Sequence, residues 1–195
     1  DLIVKTGRSF APAVEHAAFQ VVTLISTTGY FTEDFDLWPH FCRCVLVLVM
    51  FSGGCAGSTS GGIKVSRLVL LFKSVKRDMR RILHSREVRP ITLDGQRVGE
   101  ETVCSVSVFF FAYIVLLLLG ALILSLDGID FTAAFTASLT AISNVGPGLG
   151  AVGPTCNFGF LSGLSKITMS ALMLLGRLEI MPLLVLLLPG VWRRK

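Results

Sequence analysis

The chain consists of long apolar blocks separated by short polar segments. Residues 102–126 form 25 consecutive positions without a charged side chain, which is long enough to cross a bilayer as a helix. Residues 41–72 and 162–188 are blocks of similar length, but each of them is interrupted. Two further blocks, residues 13–25 and 131–143, have only 13 positions each, about half of a bilayer crossing. The pattern therefore predicts three long helices and two half-length helices.

A short glycine-containing segment follows each half-length block. Residues 26–30 (STTGY) follow the first block, and residues 144–148 (NVGPG) follow the second, about 117 positions later. We interpret both as re-entrant pore loops, in which a half-helix enters the membrane and an extended segment returns with its carbonyls toward a cation. Taken singly, the tripeptides Thr27-Thr28-Gly29 and Asn144-Val145-Gly146 are also typical of ordinary turns. The matching context of the two segments favours pore loops.

These residue types suit the chemistry of a cation filter. A dehydrated alkali cation needs oxygen atoms in place of its lost water, and backbone carbonyls and small hydroxyl side chains provide them. Glycine lets consecutive carbonyls face the same way, because it tolerates positive φ. The two segments are therefore candidate ion-binding sites.

Composition agrees with a membrane location. Hydrophobic residues make up 52% of the chain and charged residues only 16%, whereas soluble domains are about 25% charged. The apolar blocks are continuous and Leu-rich, without the alternation of a β-barrel. The predicted fold class is thus an all-α polytopic membrane protein. The net charge of +5 lies in one loop and one tail, so we predict no nucleic-acid partner.

Neither an enzyme nor a cysteine-based site is predicted. No arrangement of a nucleophile with a base is visible, so the chain is not interpreted as an enzyme. Five cysteines are present and none forms a Cys-x-x-Cys pair, so we expect no cysteine metal site and no disulfide framework.

The first inward block is interrupted by a glycine-rich run at residues 53–62. Ten positions with five glycines and three hydroxyl side chains do not sustain a lipid-facing helix. We predict a flexible loop beneath the first filter that acts as a gate; the alternative is close helix packing through small residues. The glycines of this predicted gate are Gly53, Gly54, Gly57, Gly61 and Gly62.

The last apolar block contains a charged residue far from its outer end. Arg177 lies roughly 22 Å from Ser162 along a helix, where a charge is costly unless it faces water or a partner. Glu179, two positions later, points to another face and does not pair with it. We predict that Arg177 projects into the pore below the filters and raises the barrier to cations; a structural ion pair with another helix is the alternative.

Topology follows from the polar segments. Residues 73–101 hold eight Lys/Arg, which places this predicted basic loop in the cytoplasm together with the C-terminus, so both filters open outward. The basic residues of this loop either form a docking surface for a cytosolic partner or serve only to set the membrane topology. The ITLDGQRV segment of the loop suits a small hairpin.

The outer acids Glu33, Asp34 and Asp36 either ring the pore mouth or belong to a solvated loop. Asp130 is expected to cap the second half-helix.

The unit helix–pore loop–helix occurs once whole, at residues 102–195, and once without its first helix, at residues 1–72. Two units do not enclose a pore with fourfold carbonyl geometry. We therefore expect either further units upstream on a longer chain, which the missing first helix and the polar residues 1–12 favour, or a combination of chains.

The motifs resemble those of a known family. The runs AFQVVTLISTTGY (18–30), GGCAGSTSGGIK (53–64), SNVGPG (143–148) and LLGRLEI (174–180) are similar to those of the Trk/Ktr/HKT potassium transporters, in particular the TrkH-type uptake subunits over their last two repeats. The resemblance covers nearly the whole chain. It implies a pseudo-fourfold potassium pore with an intramembrane gating loop at residues 53–62 and a pore-facing Arg177. The filter residues it implies are Thr27, Thr28, Gly29, Asn144, Val145 and Gly146.

The resemblance also implies partners and a location. It predicts a homodimer in lipid of the bacterial inner membrane, regulated by a cytosolic, nucleotide-binding TrkA-type subunit at the basic loop, with K⁺ as the transported ion and no cofactor. Single glycines in each filter predict weaker sodium exclusion than in strict potassium channels. Channel-like transport and symport with protons or sodium both stay open. The competing functions are a non-transporting membrane scaffold and a carrier for another solute.

Overall fold

The computed structural model describes residue 2 and residues 9–55, 57–83, 90–93 and 95–177. This part of the chain is mainly α-helical, as predicted. The helices are α1 (Phe10–Ile25), α2 (His40–Phe51), α3 (Val65–Leu83), α4 (Glu100–Leu124), α5 (Phe131–Ser143) and α6 (Gly163–Arg177). Short 3-10 turns lie at Phe35–Leu37, Ser125–Asp127 and Gly150–Val152, and two strands, β1 (Thr92–Leu93) and β2 (Gln96–Arg97), form a hairpin.

Helix α4 is the long apolar crossing. Within the described residues, the stretch Glu100–Asp127 is the one helix that is long and apolar enough to span a membrane, while α1, α2 and α5 are shorter apolar helices. The helix begins two residues before the predicted position, because Glu100 and Glu101 occupy its first turn, where acids stabilise the helix dipole. It ends in the Ser125–Asp127 turn, followed by Gly128 in the left-handed conformation.

Half-helix α5 has the bounds expected from the sequence and is buried between α4 and α6. The carboxylate of Asp130 accepts a hydrogen bond from the Thr132 amide at 3.1 Å, so the predicted N-cap is confirmed. A methyl group at Gly120 would lie only 2.6 Å from Leu172 Cδ1 and would overlap Ser138 Oγ. Glycine on α4 therefore lets three helices approach closely, as is common in membrane bundles.

The first half-helix, α1, begins at Phe10 rather than at residue 13. Its third position is Pro12, which is tolerated because the first turn has no intrahelical partner for its missing N–H. The helix ends at Ile25, where the sequence predicted.

The prediction that residues 73–101 form a loop was wrong for residues 73–83. The inward block divides into α2 and α3 around the irregular residues 52–64, and α3 continues as far as Leu83. Lysine and arginine are good helix formers, and apolar side chains recur every three or four residues through this segment. The predicted hairpin is confirmed, with Thr92 paired to Arg97.

Only part of the last predicted block can be compared. Helix α6 covers Gly163–Arg177. Residues 178–188, including Glu179, and the basic C-terminus lie outside the described residues.

Candidate functional site

The two predicted filter segments share one backbone conformation. Thr27 and Asn144 have φ of 54° and 55°, and they are the two non-glycine residues with positive φ in the described part of the chain. Two positions later, Gly29 and Gly146 have φ of 79° and 115°. Positive φ is uncommon outside glycine, so its recurrence at equivalent positions marks the two segments as structural repeats.

The same hydrogen bonds end both half-helices. The amide of Thr28 donates to the Thr23 carbonyl at 3.0 Å, and the amide of Val145 donates to the Thr140 carbonyl at 3.0 Å. One residue earlier, Thr27 and Asn144 donate to carbonyls three residues back, each at 3.2 Å. Such bonds, with a left-handed residue, form the usual closure of a helix C-terminus. Each helix therefore stops where its filter segment begins.

The filter segments lie directly against each other. A methyl group added to Gly29 would overlap the Val145 carbonyl oxygen and would lie 3.4 Å from Pro147 Cδ. A methyl group on Gly146 would be 3.9 Å from the Gly29 Cα. The structure thus brings together the two predicted sets of filter residues.

Two threonines support the second filter segment, and the sequence analysis did not identify them. Thr140 Oγ1 accepts from the Gly146 amide at 2.8 Å, and Thr136 Oγ1 accepts from the Leu149 amide at 3.0 Å. Their spacing of four on one helix is the signal that would have indicated a common face. In the first repeat, Thr23 takes the place of Thr140, and its buried hydroxyl has no hydrogen-bond partner within the described residues.

Replacing Thr140 with valine is expected to destabilise the protein by about 1–3 kcal/mol, because the Gly146 amide loses its buried acceptor. The measurement is the thermal unfolding midpoint. The matched control is Thr168→Val, since the half-buried Thr168 hydroxyl donates, within the described structure, to Leu164 of its own helix. Equal effects of both substitutions would contradict the role of Thr140.

The glycine-rich run forms an ordered loop with a closed base. Ser52 and Ile63 form a parallel β-bridge, and the Gly53 amide donates to the Ile63 carbonyl at 2.8 Å. Within the loop, the Gly54 amide donates to Ser60 Oγ at 2.7 Å. A methyl group on Gly53 would overlap the Gly61 carbonyl. The base of the predicted gate therefore depends on backbone approach that side chains would prevent.

The loop lies under the C-terminal end of α5. A methyl group on Gly61 would overlap the Ser143 carbonyl, and one on Gly176 would overlap the Ile142 carbonyl. The side-chain amide of Asn144 donates to the Met173 carbonyl at 3.1 Å. The second filter, the predicted gate and helix α6 thus form one continuous unit. In contrast, Gly57, with φ of 84°, has open space around it.

Arg177 contacts the predicted gate directly. Its guanidinium donates a hydrogen bond to the Thr59 carbonyl, so its partner among the described residues is a backbone carbonyl. Arg177 and Thr59 both line a cavity of about 190 Å³, together with Lys64 and Arg67. The Arg67 guanidinium lies 4.2 Å from the centre of the Phe109 ring. Three cationic side chains therefore line the cavity below the loop. Sequence reasoning missed Lys64 and Arg67, although Lys64 lies two residues after the glycine-rich run.

The outer acids are part of a contact network. Asp36 pairs with Arg43 at 3.4 Å, and the Trp38 indole donates to Glu33 at 3.3 Å. Asp34 accepts from Thr155 Oγ1 at 3.3 Å, which joins the segments that follow the two filters. These acids therefore have structural contacts in addition to any effect on cations at the mouth.

Asp127, in the turn that ends the long apolar helix, holds the start of α6. Its carboxylate accepts a hydrogen bond from the Ser162 amide at 2.9 Å.

Residues 27–29 and 144–146 carry oxygen groups and no charged side chain. No group of three or more His, Cys, Asp or Glu side chains that could hold a metal occurs among the described residues. The backbone oxygens and small hydroxyls at residues 27–29 and 144–146 suit an alkali ion better than a transition metal.

Fold and site together define an α-helical membrane protein with two equivalent half-helix–loop units above an interrupted helix. Residues 7–190 match the family model described as TrkH, cation transport protein. The chain therefore belongs to the TrkH family of cation transport proteins, which are not enzymes.

Individual relatives agree with this assignment. The chain is 39% identical to the Trk system potassium uptake protein TrkH of Escherichia coli K12, covering 92% of this chain and 37% of that protein. It is 37% identical to TrkI of Halomonas elongata, covering 98% and 39% of the two chains. The crystal structure of the potassium transporter TrkH from Vibrio parahaemolyticus matches with a TM-score of 0.89 and 39% identity, over 98% of this chain and 41% of that one. The chain thus spans about two-fifths of the length of these relatives.

Proposed function

We propose that this chain supplies two of the pore-loop repeats of a potassium uptake protein. The observation that carries the proposal is the repeated backbone at residues 27–29 and 144–146, where each half-helix ends in a left-handed residue followed by a positive-φ glycine. In this proposal Thr27, Thr28 and Gly29, with Asn144, Val145 and Gly146, bind dehydrated K⁺. Relatives named as potassium uptake proteins support the choice of ion.

Conduction is controlled below the filters. The loop at residues 53–62 obstructs the pathway, and Arg177 holds it through the Thr59 carbonyl. The positive side chain of Arg177 at the lower cavity raises the barrier to a cation until the loop moves. Release of the Arg177 contact is the opening step.

The proposed setting is the bacterial inner membrane, with both filters open to the outside. The part of the basic segment that follows α3 faces the cytoplasm, as the positive-inside rule requires. A homodimer regulated by a cytosolic, nucleotide-binding TrkA-type subunit completes the assembly, in line with relatives named as members of a Trk system.

The test is uptake of rubidium and potassium into liposomes that contain the full-length protein, with sodium in competition and protein-free liposomes as the control. Uptake that persists in excess sodium is the expected result. A folded protein that conducts no cation with its cytosolic partner supplied would contradict potassium transport and favour a scaffold.

A further inference from the structure

Helix α3 has an apolar stripe that is exposed in the part of the chain that the structure describes. Phe72, Val75, Met79 and Ile82 are 73%, 57%, 63% and 84% exposed. At 3.6 residues per turn they fall within an arc of about 80°. Four large apolar side chains exposed in one row indicate a surface that contacts something other than water.

The other side of the same helix is strongly basic. The five lysines and arginines at residues 73–81 fall within a separate arc of about 140° and face the hairpin across a cavity of about 170 Å³. The cations that line this cavity are Lys73, Lys76, Arg77, Arg80 and Arg81. A helix with an apolar stripe beside a basic face is typical of helices that lie at a membrane surface.

Residues that line this cavity contact the first residue of α4, where the membrane-crossing helix begins. Arg77 forms an ion pair with Glu100, the first residue of α4, and another with Asp78. Lys73 donates to the Thr92 carbonyl at 2.7 Å, which holds the hairpin against α3. Because α4 crosses the bilayer from Glu100 onward, the cavity lies at the membrane–water boundary.

We propose that this cavity binds the phosphate headgroup of an anionic phospholipid, whose acyl chains lie along the apolar stripe of α3. Arg77 and Lys73 shape the cavity through their protein contacts, and Lys76, Arg80 and Arg81 contribute the charge that attracts the phosphate. Among the described residues, Glu100 and Asp78 are acids that pair with Arg77 at this cavity. The proposal uses only the cytoplasmic placement of this segment from the proposed function and goes beyond ion transport.

The choice of lipid rather than a protein partner follows from geometry and charge. A protein that covered the stripe would have to bury the basic side chains next to it. A lipid, in contrast, has an anionic headgroup for the basic face of α3 and acyl chains for its apolar stripe. Anionic lipids attract basic side chains at a membrane surface by about 1 kcal/mol each, or about fivefold in affinity per residue.

The experiment is native mass spectrometry of the full-length protein in detergent, titrated with phosphatidylglycerol or with phosphatidylcholine of the same acyl chains. We expect tighter binding of phosphatidylglycerol. The triple variant Lys76→Gln, Arg80→Gln, Arg81→Gln should lose on the order of a hundredfold in phosphatidylglycerol affinity, at about fivefold per residue, and none in phosphatidylcholine affinity. For single substitutions, Lys76→Gln should lose affinity and its control Arg97→Gln, at an exposed cation on β2, should not. Equal binding of the two lipids, or an unchanged triple variant, would overturn the proposal.

Two further experiments distinguish binding of a phospholipid from binding of a free phosphate ion. Inorganic phosphate should not displace phosphatidylglycerol, and the double variant Met79→Gln, Ile82→Gln should weaken its binding. Displacement by phosphate, or no effect of the double variant, would assign the cavity to a free anion and overturn the lipid proposal. Loss of the TrkA-type partner in the triple variant with unchanged lipid affinity would instead make α3 a protein-docking surface. The elution volume and thermal midpoint of each variant establish that it is folded, and no arm depends on ion flux.

Discussion

Replacing Arg177 with alanine is expected to raise potassium flux through the full-length protein by about tenfold to a hundredfold. Arg177 holds the loop at residues 53–62 through a charge-assisted hydrogen bond to the Thr59 carbonyl. Such bonds contribute about 1.5–3 kcal/mol, which corresponds to roughly that change in the ratio of closed to open gate. The substitution also removes a positive charge from the proposed cation pathway. The measurement is the initial rate of rubidium uptake into proteoliposomes.

Two variants control this prediction. Arg97→Ala removes an exposed cation from the hairpin strand β2 and should leave the rate unchanged. Arg177→Lys keeps the charge but loses the guanidinium geometry, so it should give an intermediate rate. If the Arg177→Ala protein is folded and has the wild-type flux, Arg177 is not part of the gate.

Replacing Gly29 with alanine is expected to abolish most of the preference for potassium over sodium. Gly29 has φ of 79°, which costs a non-glycine residue roughly 1–2 kcal/mol. The added methyl group would also overlap the Val145 carbonyl of the facing filter segment. Because that overlap can be relieved only by moving backbone, both segments must shift and their oxygens no longer match one ion. The measurement is rubidium uptake as a function of competing sodium.

Gly128→Ala separates the overlap from the strain. Gly128 has a similar φ of 73°, but a methyl group there meets nothing within 4 Å. This variant should lose a comparable amount of stability while keeping its selectivity. If Gly29→Ala retained selectivity, or if both variants lost it equally, close contact between the two segments would not be what sets the choice of ion.

The glycine-rich loop shows the close packing that the sequence presented as the alternative to a gate, and its tip leaves room for the movement that the proposed gate requires. At its base, Gly53 and Gly61 pack backbone against backbone, and Gly61 does so against the end of α5. At its tip, Gly57 has open space and Thr59 meets Arg177. Small residues therefore serve close packing at one end, while the other end has room to move. A gate needs both, since a fixed base lets the tip swing without displacing the filter.

The sequence alone determined the elements whose signals are local. An uncharged block defined α4, and a 13-residue block ending before Asn144 defined α5 with its cap at Asp130. The recurrence of a glycine in each segment, two positions after Thr27 and after Asn144, marked the candidate filters, because positive φ selects glycine whatever surrounds it. The extension of α3 through residues 73–83 was missed, since positive charge was interpreted as loop although lysine and arginine favour helices.

Only the tertiary structure decided how these elements meet. It placed Thr59 against Arg177, 118 positions away, and it placed Gly61 and Gly176 against adjacent carbonyls at the end of α5. It also made Thr140 an acceptor for the Gly146 amide. Hydrophobicity and turn propensity act over a few residues and carry no information about which distant backbone groups come within contact distance. Those pairings depend on helix packing, in which close approach and satisfied buried polar groups select one arrangement.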